Sequence, residues 1–405
     1  MICFVSGTQR ARARDLGIAV GSLPAGPHNA ITDVPGVRVG HTTLIEGSDV
    51  RTGVTAIVHD RLTGTQVLNA GLATGNGFGK IVGTTQVSEL GVIETPIVLT
   101  GTLCTFRAAD ALVSYMLSLP GNDMLETVNP VVAETNDGFL SDMRRRPVTE
   151  EHVLAALRGA TAGPVAEGCV GAGTGTGALG FKAGIGTSSR TVECGPDAPR
   201  PVTIGVLVQA NFGGMLTVLG VPAPPDPGPT GRSAGGPSVM GRGAGEPGAQ
   251  GEQSAGEPDA GEPGAGEPGE QGPGKPGEPG EPGAGEAGNS CVIVLATDAP
   301  LDSRRLIRVA WRSFAGMARA GSDFSGRSGD YALAFSTAPP AAGPLPDAAL
   351  DPLFVAAADA TAEAILNSVL AAETTTGFRG HVRHAVPLDL VRRLCAARGV
   401  LRAGG

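Results

Sequence analysis

At Asn289-Ser290 a long Gly/Pro/Glu tract stops and a strongly apolar strand, Cys291-Val-Ile-Val-Leu295, begins at once. A serine at the first position of such a strand can do more than start it. Should the Asn289–Ser290 bond be cut, Ser290 acquires an α-amine beside its hydroxyl, which sets a nucleophile and a base on one residue. An α-amine has a reference pKa of about 7.7–8.0, so part of it is neutral near pH 7 and able to take a proton. Read for structure alone, Ser290 simply opens a strand.

A nucleophile of this kind needs rigid elements around it. Alternation and β-branched runs predict strands at 37–41, 54–58, 95–100, 128–134, 201–209, 291–296 and 331–335. Apolar spacing and stop signals predict helices at 106–119, 150–158, 303–320, 350–372 and 387–397. Strands and helices do not alternate regularly as βαβ units. The expected class is therefore α+β, with sheets packed face to face and helices outside.

Several blocks carry a family resemblance: GPHNAITDVPGVRVGHTTL (26–44), TGVTAIV (52–58), ETPIVLTGTL (94–103), VVAETNDGFLSD (131–142), GTGTGALGFKAGIGTSSR (173–190), VLVQANFG (206–213), GNSCVIVLATDAPL (288–301) and SGDYALAFST (328–337). Together, and in this order, they resemble the DmpA/BapA family of self-processing L-aminopeptidase/D-esterase and β-aminopeptidase enzymes. The resemblance implies a four-layer αββα sandwich, of the kind ornithine acetyltransferases share, and cleavage between Asn289 and Ser290. Residues 1–289 would form the α chain and 290–405 the β chain of one catalytic domain.

By family position Ser290 becomes the nucleophile, Ser328 hydrogen-bonds it, and Asp330 holds or polarises that network. The β-aminopeptidase branch resembles this with Glu in place of Asp330, one methylene longer. Asn211 is placed to stabilise an oxyanion. Glu134 is a candidate for the substrate ammonium. Phe139 stands where many relatives have a Tyr whose hydroxyl assists the oxyanion. The plainer alternatives are a Ser-Gly-Asp turn at 328–330, an Asn ending a strand at 211 and a turn acid at 134.

Other patterns carry less. Gly175-Thr-Gly177-Ala-Leu-Gly180 matches GxGxxG, yet no strong strand precedes it and no good helix follows, which argues against a dinucleotide site. His381 and His384 lie at i,i+3 without a nearby acid or Cys cluster, and read as surface rather than metal ligands. Strand alternation turns Cys291 away from the face that carries Ser290. The six cysteines show no CxxC pair, which fits reduced thiols and a cytoplasmic location.

The tract 222–288 has no aromatic residue, and its only large apolar residues are Val239 and Met240, so it reads as a disordered acidic insertion. It carries most of the net charge of −9. The remaining chain is near neutral, against a nucleic-acid surface. Arg10–Arg14 reads as a solvated N-terminal segment. The start lacks signal-peptide character, and no uncharged apolar stretch is long enough to span a bilayer.

These readings converge on an autoproteolytically activated serine aminopeptidase that acts on short peptides, amides or esters through an acyl-enzyme. It is expected to need no metal or organic cofactor, to bind neither nucleic acid nor membrane, and to form a homo-oligomer of αβ units. The alternatives are an acyltransferase of the ornithine acetyltransferase-like fold and a weakly active binding or scaffold protein whose acidic tract recruits a partner.

Overall fold

The structure is a computed structural model that describes residues 10–195, 199–225, 289–339 and 342–402. Two sheets form its centre. The larger has six strands in the order Ile185–Cys194, Arg200–Asn211, Asn289–Thr297, Ser328–Ser336, Leu68–Gly77 and Val92–Ile93. The smaller has five, in the order Val37–Glu46, Val50–His59, Ile97–Gly101, Val131–Thr135 and Ile81–Val82.

Three apolar clusters show how the layers stack. Ile57, Leu99 and Ala133 of the smaller sheet meet Leu207, Val292, Val294 and Leu333 of the larger. On the outer face of the larger sheet, Val206, Val208, Ile293 and Leu295 pack with residues of helices Ser303–Ala320 and Asp351–Leu370. On the outer face of the smaller sheet, Val54, Ala56, Val98 and Val132 pack with helices Thr105–Leu117 and Glu150–Arg158. The result is the expected αββα sandwich. Strand alternation distributes one strand between two cores: Val292 and Val294 face the other sheet, while Cys291, Ile293 and Leu295 face the helices.

All five expected helices form, within a residue or two of their expected ends. Two ten-residue strands do not follow from pattern. Leu68–Gly77 is rich in Gly and Asn, and Ile185–Cys194 places Thr187, Ser188, Ser189 and Arg190 in the interior. Those buried polar side chains find partners: Ser188 Oγ donates to Asn29 Oδ1 at 2.8 Å, and Arg190 pairs with Glu363 at 2.6 Å. Helix Asp351–Leu370 is long and apolar enough by length and composition to cross a membrane, yet it is almost wholly buried in the protein and carries Glu363 and Asp359, both paired with arginines.

Two expectations are corrected. The Arg10–Arg14 segment is not solvated but pinned. Arg10 donates to the carbonyls of Ala372 and Val386, Arg12 pairs with Glu167 at 2.6 Å, and Arg14 pairs with Glu363 at 2.7 Å. Order also extends past Pro222, because Val221–Pro222 pairs with Thr217–Val218 and Ala223 N–H donates to Leu216 O. Residues 226–288, the rest of the acidic insertion, lie outside the described residues.

Candidate active site

Strand Asn289–Thr297 lies in the middle of the larger sheet because its apolar run can be buried on both faces. Its neighbours fix what surrounds Ser290. On one side the antiparallel ladder sets Asn211 opposite Ser290. On the other the parallel ladder sets Ser328 opposite Asn289 and Gly329 opposite Ser290. The first residues of two parallel strands and the last residue of an antiparallel one therefore meet at one end of the sheet. In the continuous chain this end is closed: Ser290 is 3% exposed, Asn211 4% and Ser328 1%.

Ser328 is tied to Asp330. The serine Oγ donates to Asp330 Oδ1 at 2.5 Å, and Asn76 Nδ2 donates to Oδ2 at 2.9 Å. The shorter Asp side chain thus engages Ser328 directly. Burial raises the Asp330 pKa, with hydrogen bonds from Ser328, Asn76 and the Cys291 backbone opposing the rise.

Asn211 joins the two sheets. Its Nδ2 donates to Asn136 O at 2.8 Å, and its Oδ1 accepts from Gly177 N–H at 3.1 Å. Gly177 belongs to the GxGxxG segment, which folds as a hairpin of Gly177–Ala178 against Phe181–Lys182. The turn passes through Leu179 and Gly180 at φ 56° and 85°, a left-handed region that suits glycine. No helix follows, so the glycines serve this turn and the grip on Asn211.

Glu134 is the penultimate residue of strand Val131–Thr135 on the facing sheet. It is 1% exposed, and its Oε1 accepts from the Lys80 N–H at 2.9 Å and from Lys80 Nζ at 3.3 Å. Its Oε2 is buried without a hydrogen-bond partner among the described residues. Nearby Asp137 is fully buried, and its pKa is raised to about 7, chiefly by desolvation and further by Glu134, against hydrogen bonds from Thr52 and its own backbone. Phe139 stacks on His381, with ring centroids 4.5 Å apart and planes at 17°, and the Arg383 guanidinium carbon lies 4.3 Å from its ring centroid.

The sequence-derived candidates Ser290, Asn211, Ser328 and Asp330 gather at one end of the larger sheet, and Asn136 ties the Glu134–Phe139 segment to them. His381 is corrected: it is half-buried, stacked on Phe139, with Nδ1 2.9 Å from Phe139 O. Sequence reasoning gave no role to Asn136 or Arg383 and set Gly177 aside with the GxGxxG segment. Asn136 and Gly177 lie inside the quoted blocks at 131–142 and 173–190, a faint signal; Arg383 offered none.

The description of peptidase family S58 matches residues 29–383. The chain belongs to peptidase family S58. It is 36% identical to a β-peptidyl aminopeptidase BapA of Sphingosinicella microcystinivorans, over 98% of this chain and 97% of that one. A β-peptidyl aminopeptidase BapA of Sphingosinicella xenopeptidilytica is 38% identical, over 96% and 91%. A solved L-aminopeptidase D-Ala-esterase/amidase from Ochrobactrum anthropi superposes with a TM-score of 0.76 at 34% identity, covering 96% of this chain and 99% of that one; it is described as a variant of the Ntn-hydrolase fold. As an S58 peptidase the chain is a hydrolase, an aminopeptidase of the N-terminal-serine type, in a family characterised by autoprocessing.

Proposed function

We propose that this S58 peptidase cuts itself between Asn289 and Ser290 and then removes N-terminal residues from short peptides, amides or esters, those with β-amino acyl groups included. In the uncut chain the Ser290 hydroxyl attacks the Asn289 carbonyl. The C–N bond breaks, the acyl group passes to Oγ and the proton to the nitrogen. Water then hydrolyses the ester, leaving a carboxyl on Asn289 and a free amine on Ser290.

In the mature enzyme that amine takes the Oγ proton as oxygen attacks the substrate carbonyl, and it returns the proton to the leaving amine. The acyl-enzyme is released by water along the same route. Asn211 stabilises the oxyanion, its plane held by Gly177 and Asn136. The Ser328–Asp330 pair backs the nucleophile from the neighbouring strand. Glu134 receives the substrate ammonium on the oxygen that Lys80 does not occupy. Phe139 brings no hydroxyl, so the oxyanion depends on amide donors.

The observation that carries this reading is the register that places Asn211 opposite Ser290 and Ser328 opposite Asn289. A denaturing gel with intact mass tests it. Two fragments are expected, the smaller beginning at Ser290, in place of one species at 40.4 kDa. Ser290→Ala should leave the single species and abolish turnover of both an L-alanyl and a β-alanyl anilide. An uncut wild-type chain without aminopeptidase activity would refute the proposal.

A further inference from the structure

We infer that Arg383 is a specificity residue of this site, its guanidinium receiving a carboxylate of the bound peptide. The inference rests on the aminopeptidase reading above and adds the substrate group that reading does not name.

The placement comes from the C-terminal part of the chain. Val382–Arg383 pairs with Thr375–Thr376 just beyond the long buried helix, which carries Arg383 to the Phe139 ring. It also abuts the hairpin that holds Asn211: a Cβ on Gly177 would lie 3.1 Å from Arg383 Nε. Arg383 is thus one residue removed from the amide assigned to the oxyanion.

Its charge is uncompensated among the described residues. Arg12, Arg14 and Arg190 each meet a buried carboxylate, Glu167 or Glu363. Arg383 is half-buried, and no carboxylate among the described residues pairs with it. Burial lowers its pKa, and no acid among the described residues pulls it back. Desolvating a cation without a counter-ion is costly, and an arriving anion recovers that cost.

Geometry suits a carboxylate. The guanidinium lies over the Phe139 ring, and its N–H donors form a planar fork that matches a two-oxygen acceptor. With Glu134 for the ammonium, the site then presents one anion and one cation to a zwitterionic short peptide. The carboxylate is either the free C-terminus of such a peptide or an acidic side chain.

The test compares kcat/KM of the self-cleaved wild type, Arg383→Met and Arg383→Lys on Ala-Leu, Ala-Leu-amide and Ala-Glu-amide. For the wild type we expect Ala-Leu to exceed its amide at least tenfold if the C-terminus is read, or Ala-Glu-amide to exceed Ala-Leu-amide by that margin if a side chain is read. Arg383→Met should bring the favoured ratio within twofold of one, through KM, and Arg383→Lys should keep part of it. The ratio remains readable even if a variant is less active overall. Equal activity of the wild type on all three peptides would overturn the inference. So would an Arg383→Met variant that loses the same factor on each, which marks a prop for Phe139. A wild type that cleaves none of them removes the aminopeptidase reading itself, and this inference with it.

Discussion

The carboxylate of Asp330 accepts a 2.5 Å hydrogen bond from Ser328, and Ser328 is the residue that the parallel ladder sets against Asn289, at the proposed scissile bond. A carboxylate can accept from both Ser328 and Asn76, whereas an Asn in its place must turn an NH2 group toward one of those donors. Asp330→Asn should therefore slow self-cleavage and lower kcat at least tenfold, judged by time-resolved gels and anilide turnover. Burial raises the Asp330 pKa, so the carboxylate protonates, and activity falls, at a higher pH than for a free Asp. In self-cleavage, where the Ser290 nitrogen is still part of the peptide bond, the rate should fall on the acid side at a pH above about 4, the ordinary Asp value. Asp330→Asn should remove that acid limb from its residual self-cleavage.

Asn211→Ala removes the assigned oxyanion donor and, with it, the two contacts to Asn136 and Gly177. Loss of one such donor costs about 100- to 1,000-fold in kcat. The expected signature is a fall of that size with KM changed far less. A mainly raised KM would place Asn211 in substrate binding instead.

Much of this arrangement was legible before any coordinates. The run after Ser290 alternates between two apolar cores because both faces of its strand are covered, and an unbroken apolar stretch is how such a strand reads in sequence. Strand Ile185–Cys194 hid for the opposite reason. Its buried polar side chains find partners far away in sequence: Thr187 Oγ1 accepts from Ile31 N–H, Ser188 donates to Asn29 and Arg190 to Glu363. The arginines at 10–14 do not read as pinned because their partners, the Ala372 and Val386 carbonyls for Arg10, Glu167 for Arg12 and Glu363 for Arg14, are likewise remote. For Arg383 the informative property is the lack of a carboxylate partner among the described residues, which no sequence window displays.

Phe139→Tyr tests whether the ring is oriented toward the oxyanion. The ring is already held by His381 and Arg383, and the substitution adds only a hydroxyl at its tip. One added hydrogen bond of about 1 kcal/mol corresponds to roughly fivefold in kcat. An increase of that order on an alanyl anilide is expected. Unchanged kcat would show that the phenol oxygen does not reach the developing charge.

Asp137 should make the fold sensitive to pH near neutrality. Its pKa is raised from 3.8 to about 7, mainly because burial disfavours the charged form. The native state therefore holds its proton more tightly than the unfolded chain. Its contribution to stability is complete below about pH 3.8 and is lost as pH rises through about 7. Asp137→Asn keeps the neutral shape. In a Ser290→Ala background, which compares uncut chains, this variant should flatten the decline in urea stability between pH 5 and pH 8, by on the order of 2–4 kcal/mol. A parallel decline in both proteins would exclude Asp137 as its source.

Glu363 should act in the opposite sense. Burial pushes its pKa up, but Arg190 and Arg14 outweigh burial and hold it below the ordinary carboxylate value. Its contribution is therefore present at neutral pH and is lost as pH falls through the folded-state pKa. The side chain is wholly buried, with Arg190 at 2.6 Å, Arg14 at 2.7 Å and Asn29 at 2.5 Å. Glu363→Gln keeps the size but leaves two guanidinium groups without their anion. Breaking a buried pair in this way costs about 3–5 kcal/mol. Urea unfolding of the Ser290→Ala chain at pH 7, with and without Glu363→Gln, should show a loss of that size, shrinking toward acid pH. Because this network also anchors Arg14, limited proteolysis should release the N-terminal segment first. A loss below about 1 kcal/mol would mean that the cluster is no stronger than an exposed ion pair.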